Sequence, residues 1–245
     1  MASHIRTIAI VSAMSSELKP VRRALGLDGR PQAESSYARG MYKGVTVITA
    51  VTRMGLAAAQ SATEGLFANA GYDIDHVFVV GIAGANDPGL KIGEVVIPAS
   101  VVDERDGISR YPVNLSDRDA SGVIYSTDQL AYSKEFVAML QNRKVSLVDM
   151  ESGAIAAVCE RNNCPFTIVR AVSDRVDKHA ENFDVFHLAN DDGSPNYLAA
   201  IRYILRKPWK VVYLISLGLG AKKAIDASCA ELLKNIECFL SRESM

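Results

Sequence analysis

The chain has 245 residues, 49% of them hydrophobic, with 27 Lys and Arg against 28 Asp and Glu. That is ample apolar matter for a core, and α/β folds of this length are routinely single domains. The near-neutral balance holds no basic tract of the kind that neutralises phosphate backbones, which argues against a nucleic-acid partner. The opening residues MASHIRTIAIVSAM have too short an apolar run for a signal peptide and read as a first strand. Near the C-terminus the apolar run Val211–Leu219 is about half of what a membrane helix needs, so it reads as a buried helix and no membrane partner is expected. Cys159, Cys164, Cys229 and Cys238 lack metal-ligand spacing and sit in apolar patterns. They read as reduced thiols of a cytoplasmic protein. The four histidines are scattered, so no metal site is expected.

In chain order, His4–Val11 reads as a strand that gives way to the small polar turn Ser12–Ser16. A helix through Leu25 follows, with Val21, Ala24 and Leu25 inward; Pro20 suits only a first turn, which starts this helix near Ser16. Residues 26–36 are loop-like. Tyr37–Tyr42 and Val45–Thr52 form a hairpin turning at Lys43-Gly44, and Gly55–Ala70 is an Ala-rich helix. His76–Val80 is an apolar strand broken by Gly81-Ile82-Ala83-Gly84, with loop to Ile92. Glu94–Val102 reads as one strand. Asp103–Ser121, the most polar stretch, reads as a flexible surface or active-site loop. Ser133–Leu140 is a short helix and Lys144–Val148 a strand. Gly153–Arg161 is a helix stopped by Pro165, and Phe166–Val172 is a strand buried on both faces. Residues 178–196 read as loop and the remainder as helices. The whole, residues 1–245, is expected to be one α/β domain, with 197–245 a C-terminal helical extension.

Three acids stand at strand ends or strand-to-helix turns: Glu17, Glu151 and Asp174. Each has a plain structural explanation. Helix dipoles favour acids in first turns, and Asp after Ser is an ordinary turn or cap residue. In open α/β sheets, however, ligands sit outside the carboxyl ends of strands, which is where these acids fall.

The motifs around them resemble a known family, the methylthioadenosine/S-adenosylhomocysteine nucleosidases of the nucleoside phosphorylase/nucleosidase superfamily. Ala13-Met14-Ser15-Ser16-Glu17 resembles A-M-x-x-E. Val80-Gly81-Ile82-Ala83-Gly84 with Leu90–Val96 is similar to G-x-A-G followed by K-x-G-D-[IV]-V. Val148–Ala156 resembles V-[DE]-M-E-x-x-A-[IV]-A, and Arg170–Asp174 resembles R-x-[IV]-S-D. The resemblance runs in order through residues 5–178. It implies a single three-layer α/β domain around a central mixed, barrel-like sheet, and cleavage of the N-ribosidic bond of a purine nucleoside through an oxocarbenium-like transition state. On it, Asp174 carries or relays a proton to the base and Ser173 orients it. Glu151 grips the ribose 2′-hydroxyl while Met150 packs on the sugar, and Glu17 is the general base toward water. Gly81, Ile82 and Ala83 line the base pocket. One acid and one base across a glycosidic centre is the logic of inverting glycosidases. No cofactor is implied; a homodimer or larger homo-oligomer is.

The chain departs from the family in places. Ile82 stands where the nucleosidases carry a serine, and Leu130 aligns with the aromatic residue that stacks on adenine. Arg53 replaces a residue of a G-x-G turn. Phosphate as acceptor, the phosphorylase alternative, needs oriented Arg side chains or a glycine-rich nest; S-A-M-S-S-E after the first strand favours water, and Arg53 alone keeps phosphate open. A second alternative is a non-catalytic nucleoside-binding protein. Gly218-Leu219-Gly220 lacks the third glycine of a dinucleotide fingerprint.

Overall fold

The structure, a computed structural model, describes residues 6–27, 37–69, 73–129, 133–176 and 211–241, with side chains of the last helix described from Gly218 onward. In chain order the elements are β1 (Thr7–Ser12), α1 (Ser15–Ala24), β2 (Tyr37–Tyr42), β3 (Val45–Val51), α2 (Leu56–Asn69), β4 (His76–Ala85), β5 (Val95–Val96), β6 (Ser100–Asp103), β7 (Ser109–Arg110), β8 (Val123–Ser126), α3 (Lys134–Asn142), β9 (Val145–Asp149), α4 (Ser152–Arg161), β10 (Phe166–Arg175) and α5 (Val211–Ser241). All ten strands join one mixed sheet, and the five helices flank it.

Continuous apolar runs mark the strands that are covered on both sides. Every residue of β1 is buried, and β1 lies parallel between β3 and β4. The hairpin of β2 and β3 turns where Lys43 and Gly44 both take left-handed backbone, the pattern of a tight primed turn. One face of the sheet packs Val77, Val79 and Val172 against Leu56, Leu66 and Ile155 from α2 and α4. The other packs Ile10, Phe78 and Val80 against Leu18 and Val21 of α1 and Leu232, Ile236 and Phe239 of α5.

The sheet forks at β4. Its first half lies between β1 and β10, and its end, Gly84 and Ala85, pairs with β9. The expected break at Gly81–Gly84 is therefore corrected: β4 runs straight through it, because β10 pairs alongside from Phe166↔Val77 to Arg175↔Ala85. The expected strand Glu94–Val102 is split into β5 and β6 around Ile97-Pro98, since proline cannot donate to a ladder. The polar stretch 103–121 contains β7, and Arg110 is buried there, held by Asp106 at 2.7 Å and Glu160 at 3.0 Å. Leu219, expected in a buried helix, is 64% exposed. The expected loop 178–196 and residues 197–210 of the extension lie outside the described residues. No described helix is long and apolar enough to cross a membrane.

One buried titratable group makes the core sensitive to acid. His76 sits between the rings of Phe78 and Phe239 and bonds Thr167 Oγ1 at 2.9 Å. Burial, assisted by the charge of Arg6, lowers its pKa to about 4. The folded state refuses a proton that the unfolded chain accepts near pH 6.5, so this contribution is intact at neutral pH and is lost as pH falls from about 6.5 toward 4. Between pH 7 and pH 5, urea unfolding of wild type should lose about 2 kcal/mol through this one group. His76→Phe should lose correspondingly less over the same interval; an equal loss would remove His76 from the account.

Candidate active site

The site is assembled where β1, β4, β9 and β10 end. Glu17 is the third residue of α1, and its carboxylate turns back to accept the Met14 amide at 3.0 Å, a helix-start arrangement. The same carboxylate accepts the Ser12 hydroxyl at 2.5 Å and the Ile82 amide at 2.9 Å. Three of its roughly four acceptor positions are thus taken by groups on β1, α1 and β4, and the side chain is fixed. Glu17 is 2% exposed. Burial raises its pKa, opposed by the charge of Arg170 and by the three hydrogen bonds.

Arg170 lies in the middle of β10 and is 1% exposed. Its Nη2 pairs with Asp149 at 2.8 Å and with Glu151 at 3.4 Å, and its Nε and Nη2 donate to Ser152 Oγ at 3.2 and 3.0 Å. Its Nη1 has no hydrogen-bond partner in the described structure. That nitrogen lies along the Cα edge of Gly81, the same edge that Glu17 Oε1 lies against; a Cβ at 81 would collide with both. Glycine is needed here for close approach. Against the desolvation of burial, Asp149, Glu151 and Glu17 together raise the Arg170 pKa and keep it charged.

Glu151 caps the start of α4 and is 5% exposed. It accepts the Gly55 amide at 3.4 Å, which ties it to the turn entering α2. Burial raises its pKa; Arg170 opposes this, while the negative charges of Asp149 and Glu17 add to it. Glu17 and Glu151 therefore share one guanidinium.

Asp174 stands farther along β10. Val172 pairs with Ala83 and Asp174 with Gly84, so Ser173 is the extra residue of a β-bulge. Bulges re-aim side chains, and this one turns Asp174 out at the strand end. The Ser173 hydroxyl bonds Asp174 Oδ1 at 2.5 Å and the Ala83 carbonyl at 3.2 Å. Burial raises the pKa of Asp174, opposed by the Ser173 hydroxyl. Helix α5 backs the bulge closely: a Cβ on Gly220 would stand 2.8 Å from the Ser173 carbonyl oxygen. Gly220 thus serves the packing of α5 against β10. From the Ile82 amide that holds Glu17 to Gly84 opposite Asp174 is two residues of strand, roughly 7 Å.

The structure thus gathers Glu17, Glu151, Gly81 and the Ile82 amide at one spot, with Ser173, Asp174 and Ala83 next along the same strand pair. Met150 adjoins Glu151 and is partly exposed. Arg53 is exposed, in left-handed backbone at the turn before Gly55, and is not joined to the acids by any ion pair among the described residues. Leu130 lies outside the described residues. The sequence reading gave no part to Arg170, Asp149, Ser126 or Ser152. A charged residue inside the apolar run Phe166–Val172 was the available signal for Arg170.

Residues 7–120 and 112–202 match the family model described as the phosphorylase superfamily. The chain belongs to the phosphorylase superfamily. Among superfamily relatives, it is 25% identical over 228 residues to the aminodeoxyfutalosine nucleosidase of Helicobacter pylori, covering 80% of this chain and 98% of that one. It is 29% identical over 214 residues to the 5′-methylthioadenosine/S-adenosylhomocysteine nucleosidase of Chromohalobacter salexigens, covering 74% and 90%. The fold is shared with the Helicobacter pylori methylthioadenosine/S-adenosylhomocysteine nucleosidase structure, at TM-score 0.74 and 20% identity over 96% of this chain and 99% of that one.

The close approach at Gly81 gives a test that needs no substrate. Gly81→Ala must push apart Arg170 and Glu17 and should cost about 1–3 kcal/mol, the range for forced overpacking. Chemical denaturation measures it; a variant as stable as wild type would contradict the packing described.

Proposed function

We propose that this chain is a nucleosidase that hydrolyses the N-ribosidic bond of a purine nucleoside bearing a thioether or larger group at the 5′ position. The observation that carries this reading is the arrangement at Gly81. A fixed carboxylate and an unpartnered guanidinium nitrogen lie along one Cα edge, with a second carboxylate beside them and a third acid on the order of 7 Å farther along the sheet. The names of the relatives supply the substrate class.

In this reading the water sits between Glu17 and Arg170 Nη1. Its oxygen attacks C1′ of the ribose and its proton passes to Glu17. The bond from C1′ to the base nitrogen breaks, the electron pair leaves with the base, and Asp174 delivers a proton to N7. Glu151 holds the ribose hydroxyls, and its charge favours the cationic sugar. Burial holds Asp174 above the ordinary carboxylate range and so favours the protonated form that an acid needs. Met150 packs on the sugar, while the backbone of Gly81, Ile82 and Ala83 lines the pocket and Ser173 orients Asp174. Arg53, exposed at the turn before Gly55, belongs to the rim, where the 5′ group is chosen.

Water rather than phosphate is supported by the charge at this spot. Three carboxylates surround Arg170, and an incoming phosphate would meet them. A homo-oligomer is supported by the exposed Ile108, Tyr111 and Val113, 51%, 74% and 38% accessible. A reducing, cytoplasmic setting is supported by the buried free thiols of Cys159, Cys164 and Cys229.

A nucleoside panel (methylthioadenosine, S-adenosylhomocysteine, aminodeoxyfutalosine, adenosine, inosine, guanosine, uridine), run with and without phosphate, tests the reading. Purine release without phosphate, yielding the ribose with its 5′ substituent still attached and a free 1-hydroxyl, is expected. Ribose 1-phosphate would establish the phosphorylase alternative, and tight binding without base release the non-catalytic one. Glu17→Gln and Asp174→Asn should each lose on the order of 10²-fold or more in kcat. As Glu17 must be ionised and Asp174 protonated, the rate should rise with pH as Glu17 loses its proton, then fall as Asp174 loses its own.

A further inference from the structure

The acid that contacts Arg170 most closely is not one of the three that the reaction uses. Asp149, at the end of β9, is 6% exposed. Its Oδ2 stands 2.8 Å from Arg170 Nη2, against 3.4 Å for Glu151. Its Oδ1 accepts the Ser126 hydroxyl at 2.5 Å and reaches the amides of Glu151 and Ser152 at 3.4 and 3.3 Å. Ser126 Oγ in turn accepts the Gly153 amide at 2.8 Å. One carboxylate therefore joins β8, the first turn of α4 and the guanidinium of β10. The α4 end is packed tightly against its neighbour as well: a Cβ at Gly153 would come within 2.8–2.9 Å of the Asp103 backbone and Cβ.

This arrangement divides the guanidinium. Nη2 donates to Ser152 Oγ at 3.0 Å and to Glu151 Oε2 at 3.4 Å and has Asp149 Oδ2 in ionic contact at 2.8 Å, which leaves Nη1 directed at Gly81 and Glu17. A planar guanidinium cannot turn one nitrogen without turning the other. Whatever fixes Nη2 therefore aims Nη1.

We propose that Asp149 is a positioning residue for the hydrolytic reaction: by its ion pair with Arg170 Nη2, it keeps Arg170 Nη1 beside Glu17 and keeps the guanidinium from closing further on Glu151. The proposal rests on the nucleosidase reading for its kinetic consequences but not for its structural one. Without Asp149, the guanidinium closes on Glu151, its next nearest carboxylate. That would withdraw Nη1 from the water and the Glu151 carboxylate from the sugar together.

The charges around the group are few. Glu17 of α1 faces Arg170, the Ser12 hydroxyl of β1, the Met14 amide and the Ile82 amide of β4. Glu151 faces Arg170, Asp149, Glu17 and the Gly55 amide. Removing Asp149 takes a like charge off Glu151 and draws the guanidinium toward it, so Glu151 should ionise at lower pH, whereas Glu17, from which the guanidinium withdraws, should ionise at higher pH.

The test uses the full-length protein with methylthioadenosine, comparing wild type, Asp149→Asn, Asp149→Glu and Ser126→Ala. Asp149→Asn should lower kcat by about 10²-fold, the scale of a misplacement near 1 Å, and move the acid limb of the pH–rate profile, set by Glu17, up by roughly one unit. Asp149→Glu, which keeps the charge, should recover at least a tenth of the wild-type kcat. If Asp149→Asn fails to fold, Ser126→Ala loosens the same carboxylate through one neutral bond and should lower kcat about tenfold with the same upward shift. Wild-type kcat and an unmoved acid limb in the folded Asn or Ala variant would overturn the proposal. Crystal structures of the same variants give a readout independent of turnover. Nη1 drawn off Gly81 toward Glu151 supports the proposal, and an unmoved guanidinium overturns it. Absence of turnover in wild type would instead count against the nucleosidase reading, leaving that structural readout to decide on Asp149.

Discussion

A single buried guanidinium holds this site together. Removing an arginine from water costs several kcal/mol even after relaxation, and only well-placed partners offset it. Arg170 has Asp149 and Glu151 in contact and Glu17 within electrostatic reach. Three carboxylates around one cation is more negative charge than the fold needs to settle Arg170. In the proposed reaction, the surplus is complementary to a sugar that becomes cationic only at the transition state. Stabilisation of that kind acts on the barrier rather than on the bound substrate.

The sheet supplies the distances. Glu17 is tied to β4 at Ile82, Arg170 lies on β10 beside Gly81, and Asp174 stands opposite Gly84 on the same strand pair. In the proposed reaction its two ends are thus set by the rise of one parallel ladder, more rigid than any loop. The bulge at Ser173 is the one irregularity, and it is clamped. Gly93 donates to the Val172 carbonyl at 2.8 Å, Val172 donates to Glu94 at 2.9 Å, and Gly220 of α5 lies against the Ser173 carbonyl. The stem of Lys223, one turn further along α5, packs over Gly93. This explains why the turn Lys91-Ile92-Gly93-Glu94, far in sequence from Glu17, Glu151 and Asp174, adjoins the site.

Much of this could be read from residues alone, and the failures have physical causes. Continuous apolar runs betrayed β1, β4 and β10, and capping chemistry betrayed the acids at helix starts. The end of β4 was misread because Gly81–Gly84 looks like punctuation; its extended course depends on β10, a partner some 90 residues away. β7 was missed because a two-residue strand in a polar stretch lacks periodicity, and β8 because four residues are too few to show one. Arg170 stood in view as a charge inside an apolar run. Its role was not legible, because the three acids that justify burying it come from α1, β9 and the start of α4, and no spacing rule joins them. Ser126 is harder still, one hydroxyl on an unrecognised strand.

The central claim is that the gap along Gly81, between Glu17 and Arg170 Nη1, is where the nucleophilic water stands, with the sugar next to it against Glu151. The most direct measurement is a crystal structure of the protein with a cationic pyrrolidine mimic of the ribosyl group and free adenine. The account predicts one ordered water bonded to both Glu17 and Arg170 Nη1, the ring cation between that water and adenine, and Asp174 on adenine N7. A mimic bound elsewhere, or a gap filled by protein side chain with no water in line with C1′, would contradict it.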